Sequence, residues 1–204
     1  MQDDNSHLEI SEADASRIKA LKAGSAQVWR ETLAFFGPGL LGYATRMLGD
    51  KSTAEEVVQD ALVNIYRTID RFDGRCSLKS WLYRAVRNRA IDEIRRQKRF
   101  VDVGEDPEKD FFNAAGDWND DCFEWDGRAA KELDKKRLLS LVHKEINNLP
   151  HAHREVLLLK EIECLEKQEI CAALEISAGN LRIRIHRART ALKAAIGYEL
   201  AKEL

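Results

Sequence analysis

The chain has 204 residues, room for one domain or two small ones, and 44% of them are hydrophobic, an ordinary share for a globular protein. No apolar run approaches the roughly 20 residues that a membrane-crossing helix needs. The formal net charge is only −2, from 33 Lys and Arg against 35 Asp and Glu, but the charge is divided by region.

The first stretch, MQDDNSHLEISEADAS, is polar and acidic, unlike a secretory leader, so the expected location is the cytoplasm. With only three prolines and eleven glycines, most of the chain reads as helix. Residues 12–100 predict four or five helices. One runs from Ser25 to Phe36 and ends at the Gly-Pro-Gly of residues 37–39, which is expected to break or kink the chain. Leu40 to Leu48 forms another. In GDKSTAEEVVQDALVNIYRTIDRFDG, Ser52 or Thr53 is placed to cap a helix, and Glu55 and Glu56 suit its first turn. Ala54, Val58, Ala61, Leu62, Ile65 and Ile69 make its apolar stripe. Glu56, Gln59, Asp60, Val63 and Asn64 fall on or near the other side, a face for a partner or for solvent.

CSLKSWLYRAVRNRAIDEIRRQKR predicts the next helix, capped by Ser77, with a stripe of Leu78, Leu82, Ala85, Val86, Ala90 (or Arg89), Ile91 and Ile94. From Arg75 to Arg99, nine basic residues face two acids, a net of +7. The arginines are interleaved with Trp81, Tyr83 and Asn88. Cations neutralise phosphates, and ring faces stack on unpaired bases at ~1–3 kcal/mol each, so this mixture suits single-stranded nucleic acid. Alternatively, Trp81 and Tyr83 are core residues and the arginines a solvated face.

Residues 101–127 reverse the sign, with ten acids against Lys109 alone, a net of −9. Gly104, Pro107, Gly116 and Gly127 interrupt the stretch and no helical period runs through it, so residues 101–134 read as a linker. Its aromatics, Phe111, Phe112, Trp118, Phe123 and Trp125, are too many for a plain spacer. They meet a partner surface or pack back onto a domain.

Beyond the linker, Arg137 to Asn148 predicts a helix, and Pro150 opens a second through about Glu161. Leu165 to Leu174 is a short third, Glu-Ile-Ser is a tight turn, and Ser177 caps a fourth. A short helix, a turn and a longer basic helix is the helix-turn-helix pattern. From Ser177 to Ile196 the net charge is +5 with no acid present. Leu181, Ile185, Ala188 and Leu192 form the buried stripe of this last helix. Asn180, Ile183, His186 (in part), Arg187 and Thr190 then point outward, flanked by Arg182, Arg184 and Arg189. Arg pairs with guanine, Asn with adenine, and Ile touches a thymine methyl, while arginines farther along meet phosphate.

The four cysteines, Cys76, Cys122, Cys164 and Cys171, form no CxxC pair and read as small apolar core residues. No His or Cys cluster has zinc-ligand spacing, and His151 and His153 are expected to be solvated. No nucleophile–base set or phosphate loop is visible, so neither an enzymatic activity nor a cofactor is expected.

Taken together, these stretches resemble the bacterial sigma factors of the extracytoplasmic-function (ECF) group, over roughly residues 25–100 and 135–196. LGDKSTAEEVVQDALVNIYRTIDRFDG with SLKSWLYRAVRNRAIDEIRRQKR is similar to the family's region 2. LPHAHREVLLLKEIECLEKQEICAALEISAGNLRIRIHRAR is similar to region 4. The resemblance implies an all-α fold of two small helical domains: region 2 within residues 1–100 and region 4 within 135–204, joined by the acidic linker 101–134. It implies a dissociable initiation subunit of RNA polymerase, docking on the beta-prime subunit through Glu56, Gln59, Asp60 and Asn64. The −10 element would be captured and melted by Phe72, Trp81, Tyr83, Arg84, Arg87, Asn88, Arg95 and Arg96, with the loop Phe72 to Ser77. The −35 element would be read as duplex by Asn180, Arg182, Ile183, Arg184, His186 and Arg187, with region 4 docking on the beta flap.

A linker of about 34 residues reaches roughly 110 Å. The two elements, ~17 base pairs apart, are separated by roughly 50–60 Å. In the family this linker threads the polymerase cleft, where an acidic aromatic strand would imitate nascent RNA. Cys164 stands where glycine is frequent, a change expected to matter little. Leu165-Glu166-Lys167 replaces a typical Ser-Tyr-Glu, and Ile183 replaces a small or polar residue, so −35 specificity cannot be copied from relatives. The chain stops at Leu204 soon after region 4, so family habit implies control by a separate anti-sigma factor, sometimes tethered at the inner membrane. Two rivals remain: a helix-turn-helix regulator acting without polymerase, and an anti-sigma decoy.

Overall fold

The computed structural model describes residues 12–100 and 135–202. Helix α1 spans Glu12–Lys22, α2 Ala26–Leu48 and α3 Lys51–Thr68, which ends in a 3₁₀ turn at Ile69–Arg71, and α4 spans Leu78–Phe100. The second unit holds α5 (Lys135–Asn148), α6 (His151–Leu157) with a π turn at Leu158–Ile162, α7 (Lys167–Leu174) and α8 (Ala178–Lys202). Among the described residues there is no strand, and no helix is long and apolar enough to cross a membrane. The acidic segment, with its aromatics and Cys122, lies outside the described residues.

The expected break at Gly-Pro-Gly does not occur. Helix α2 runs through Pro38, which removes one amide hydrogen bond from it. Burial on both sides opposes that loss: Trp29 and Thr32 precede the proline, and Leu40, Tyr43, Ala44 and Met47 follow it into the same core. Gly39 is needed for another reason. A Cβ there would lie 2.7 Å from the Tyr83 hydroxyl and 3.1 Å from Glu163 Oε2. The cap of α3 also differs from expectation. Asp50, extended at φ −128°, accepts hydrogen bonds from Thr53 N at 2.7 Å and Thr53 Oγ1 at 2.6 Å. Ser52 and Thr53 therefore sit inside the first turn.

The periodicity of α3 and α4 holds. Ala54, Val57, Val58, Ala61 and Ile65 are buried against Leu78, Leu82, Val86 and Ala90, while Ala85 and Ile94 line the edge. Ser77 caps α4, its Oγ accepting from Ser80 N at 3.1 Å.

In the second unit, Pro150 is the residue before α6, and its carbonyl accepts from the amides of His153 and Arg154. The single helix expected through Glu161 instead widens into the π turn, with Glu163 N bonded to Leu158 O at 2.9 Å. Val156, Leu157, Leu158 and Leu159 are all buried, a run that one-sided amphipathic spacing would not provide. The third helix starts at Lys167 rather than Leu165, where Glu166 N donates to Glu169 Oε2 at 3.0 Å. Ser177 caps α8 through Asn180 N at 3.2 Å, and Leu181 and Ala188 are buried, as their spacing predicts.

Three sequence expectations are corrected. His153 is buried, since the short α6 is enclosed on most sides by its neighbours. Cys164 is exposed and takes φ +50°, in the left-handed region that glycine occupies without strain. The replacement of glycine there therefore carries a conformational cost. Of the remaining cysteines described, Cys76 is buried and Cys171 half-buried.

The two units pack together. Arg154 is buried between them, donating Nη1 to Met47 O at 3.0 Å and Nη2 to the Asn147 and Leu149 carbonyls. It thus satisfies carbonyls at the ends of α2 and α5 that no helical amide reaches.

Candidate polymerase and nucleic-acid interfaces

Glu56, Gln59, Asp60 and Asn64 of α3 are all exposed on one face. Asp60 accepts from Arg89 Nη2 at 2.6 Å and Nε at 3.2 Å. Gln59 also borders a groove of about 610 Å³ between α2 and α3, lined by Trp29, Leu33, Leu41, Val58 and Leu62. Val63 and Tyr66 at its rim are 45% and 60% exposed, large apolar surface for a chain without a partner. Val63 was the one signal of this groove in the sequence, an apolar residue opposite the buried stripe.

On α4 and in the loop before it, the expected strand-binding aromatics divide. Phe72 is buried, with Trp81 half-buried against it at 5.1 Å between ring centres. Tyr83 is buried edge-on to Tyr43 and donates its hydroxyl to Glu163 Oε2 at 2.5 Å. Burial, and then the Glu163 carboxylate, push the Tyr83 phenol well above its ordinary range. The core reading thus describes Tyr83 in this arrangement, and Trp81 lies between the two readings.

The arginines of α4 are largely paired. Arg84 meets Glu175 at 3.2 Å. Arg87 donates Nε to Glu155 Oε2 at 2.7 Å and Nη2 to Oε1 at 3.3 Å. Burial works against the Arg87 charge, but the Glu155 hydrogen bond and charge outweigh it, so the group is held above its usual range. Arg95 lies 3.9 Å from Asp92, and Arg96 donates to Glu93 at 2.8 Å. The Arg96 hydrogen bond holds the Glu93 carboxyl below its ordinary value. Asn88 and Arg89 are exposed and line a 410 Å³ pocket with Asp60, Asn64, Arg67 and Asp92. The polymerase and −10 candidates therefore share one concavity.

On α8, Asn180, Arg182, Ile183 and His186 are exposed, while Arg184 and Arg187 are half-buried. Ile183, 52% exposed, is a large apolar side chain set in water between two arginines. Arg184 donates Nε to Asn180 Oδ1 at 2.9 Å and Nη1 to Glu155 Oε1 at 3.1 Å. A second groove, of about 520 Å³, runs beside the helix. Lys160 and Lys167 join Arg182, His186, Arg189 and Lys193 around it. The two lysines were missed in the sequence because they come from the π turn and α7, distant from the recognition helix in the chain.

Two family models match the chain: sigma-70 region 2 over residues 36–100 and sigma-70 region 4 over residues 139–192. The ECF sigma factor SigW of Bacillus subtilis is 30% identical over 87% of this chain and 93% of its own. The sigma-H factor of Pseudomonas aeruginosa is 29% identical over 91% and 94%. The sigma-E factor of Escherichia coli is 32% identical over 67% and 70%. In fold, the chain is similar to CnrH in its complex with the cytosolic domain of CnrY, at a TM-score of 0.62 and 22% identity over 90% of this chain and 96% of the other. It is also similar to the sigma factor RpoE of Bartonella quintana in complex with the anti-sigma factor NepR, at 0.58 and 24% over 85% and 96%. The cationic helix of the first unit and the capped recognition helix of the second as far as Leu192 fall within the two matched regions, and the chain belongs to the ECF group of RNA polymerase sigma factors.

Proposed function

We propose that the chain directs core RNA polymerase to promoters, reading the −35 element as duplex with α8 and the −10 element as melted strand with α4. The observation that carries this is the pairing of two separate cationic helices, one of them a Ser177-capped recognition helix with Asn180, Arg182 and Ile183 outward. A regulator acting without polymerase would leave the matched region 2 without a role.

The face of Glu56, Gln59, Asp60 and Asn64, with the adjoining apolar groove, is assigned to the polymerase clamp. Acidic side chains around an apolar floor suit a basic, amphipathic helical partner. Asn88, in its pocket beside Asp92, is the candidate for holding one unstacked base. The linker is assigned to the path of nascent RNA. The two fold relatives were captured with CnrY and NepR. A controlling partner of that kind is proposed here, with the sigma factor in the cytoplasm or held by the partner at the inner membrane.

Run-off transcription with core polymerase is the test. The chain plus core should yield a transcript from a promoter on which core alone is silent. Stable duplex binding by the chain alone, with no transcript on adding core, would sink the reading.

A further inference from the structure

The loop from Phe72 to Ser77 leads into α4 and belongs to the surface expected to meet the −10 element. It is held at both ends. At its start Phe72 is buried, and the Lys22 ammonium of α1 donates to Phe72 O at 2.8 Å and to Asp70 O at 3.3 Å. These carbonyls lie in and just beyond the 3₁₀ turn, where the helical run of amides stops. Three donors on one ammonium serve both carbonyls at once, and the charge strengthens both bonds. At the other end Cys76 is buried, with Arg84 Nη2 3.9 Å from its sulfur, and Ser77 caps α4. Between these anchors Asp73 and Arg75 are exposed, and Gly74 turns the chain at φ +75°. Arg75 folds back on Asp73, its amide 3.2 Å from Oδ1 and its Nε 3.1 Å from Oδ2. Lys22 is a firm base for this grip. Ile18 and Leu21 beside it on α1 are buried, and the Trp29 indole donates to Leu21 O at 3.2 Å.

We propose that Lys22 is a positioning residue for promoter selection: by fixing the Phe72 carbonyl it sets the direction in which the Asp73-Gly74-Arg75 tip leaves the core, and so which base the −10 loop accepts. The inference rests on the promoter-reading role proposed above and adds a determinant of its specificity from α1, a helix given no part in it so far. Lys22 acts through the loop and needs no contact with DNA of its own. The sequence hides the connection, because 50 positions separate Lys22 from Phe72.

The experiment compares the wild type, K22M and K22R as holoenzymes with core polymerase, on promoters varied at each −10 and each −35 position. Met keeps the apolar stem of Lys22 and removes its donors, while Arg keeps donors and charge. K22M should lose about tenfold in its preference among −10 bases, with −35 preference and core affinity as in the wild type. K22R should restore the −10 preference. A loss spread equally over all promoters, from lost charge or weaker folding, would overturn the proposal, as would a K22M with wild-type −10 preferences. Nitrogen-15 relaxation of the full chain without core or DNA reads the loop itself. The Gly74 and Arg75 amides should be ordered in the wild type and K22R and mobile in K22M, and equal order in all three overturns the proposal. A wild-type holoenzyme silent on every promoter would strike the promoter-reading role, whereas an active wild type matched by K22M strikes Lys22 alone.

Discussion

The Arg89 guanidinium of α4 grips Asp60 of α3 with two hydrogen bonds, at 2.6 and 3.2 Å, so the face assigned to polymerase is tied to the helix assigned to the promoter. Both side chains are about half exposed, and such a pair contributes only ~0.2–1 kcal/mol to stability. Asp60→Ala is therefore expected to leave the melting temperature nearly unchanged while weakening core binding by about tenfold, if Asp60 touches the clamp directly. Titration of labelled protein with core reads the affinity, and a double-mutant cycle with Arg89→Ala reads the coupling. A core affinity equal to that of the wild type would reduce Asp60 to a brace for α4.

Cys164 offers a test of backbone strain. Its φ of +50° costs a residue with a Cβ about 1–2 kcal/mol, against which glycine loses some entropy of the unfolded chain. Cys164→Gly should stabilise the protein by about 0.5–1 kcal/mol, raising the melting temperature by a few degrees. Thermal unfolding under reducing conditions measures it. A lower melting temperature would mean that the exposed thiol makes a contact worth more than the strain.

The helices of the core were legible because their burial is one-sided. Leu78, Leu82, Val86 and Ala90 recur at helical spacing, and so do Leu181 and Ala188. Pro38 misled because its penalty is local, whereas the burial of Leu40, Tyr43 and Met47 that keeps α2 continuous depends on helices elsewhere in the chain. Asp50 was passed over because Ser52 and Thr53 are equally good capping types, and only the backbone decides among them. The candidate DNA residues were legible as charge and aromatic pattern. Their partners were not: Glu155 is 68 positions from Arg87, and no local rule brings the two together. The buried place of Tyr83 and Phe72 is likewise set by packing between elements.

Recognition and anchoring should separate on α8. Ile183 is set to meet a base edge, and removing its methyl groups with Ile183→Ala should cost about 1 kcal/mol on promoters with a thymine at the contacted position. On other promoters the loss should be smaller. If Arg182 meets phosphate rather than a base, Arg182→Ala should weaken all sequences alike and reduce the slope of log K against log salt by about 1. Binding of holoenzyme to a panel of −35 variants at several salt concentrations distinguishes them. A uniform loss from Ile183→Ala would withdraw it from the reading set.

The buried tyrosines give the fold an alkaline limit. Burial pushes Tyr43 and Tyr83 above the ordinary phenol value of 10, and for Tyr83 the Glu163 carboxylate adds to the effect. As pH rises past 10, the unfolded chain releases these protons while the folded protein retains them. Raised phenol values therefore contribute stability that is fully present below pH 10 and lost above it. The decline should approach about 1.4 kcal/mol per pH unit for each tyrosine. Urea unfolding between neutral pH and the onset of alkaline denaturation measures the slope. Tyr83→Phe should make the slope shallower, at the cost of its hydrogen bond to Glu163. The Tyr43 hydroxyl has no hydrogen-bond partner among the described residues, so Tyr43→Phe should flatten the slope with little or no loss at neutral pH. An alkaline slope identical in both variants and the wild type would assign the decline to other groups.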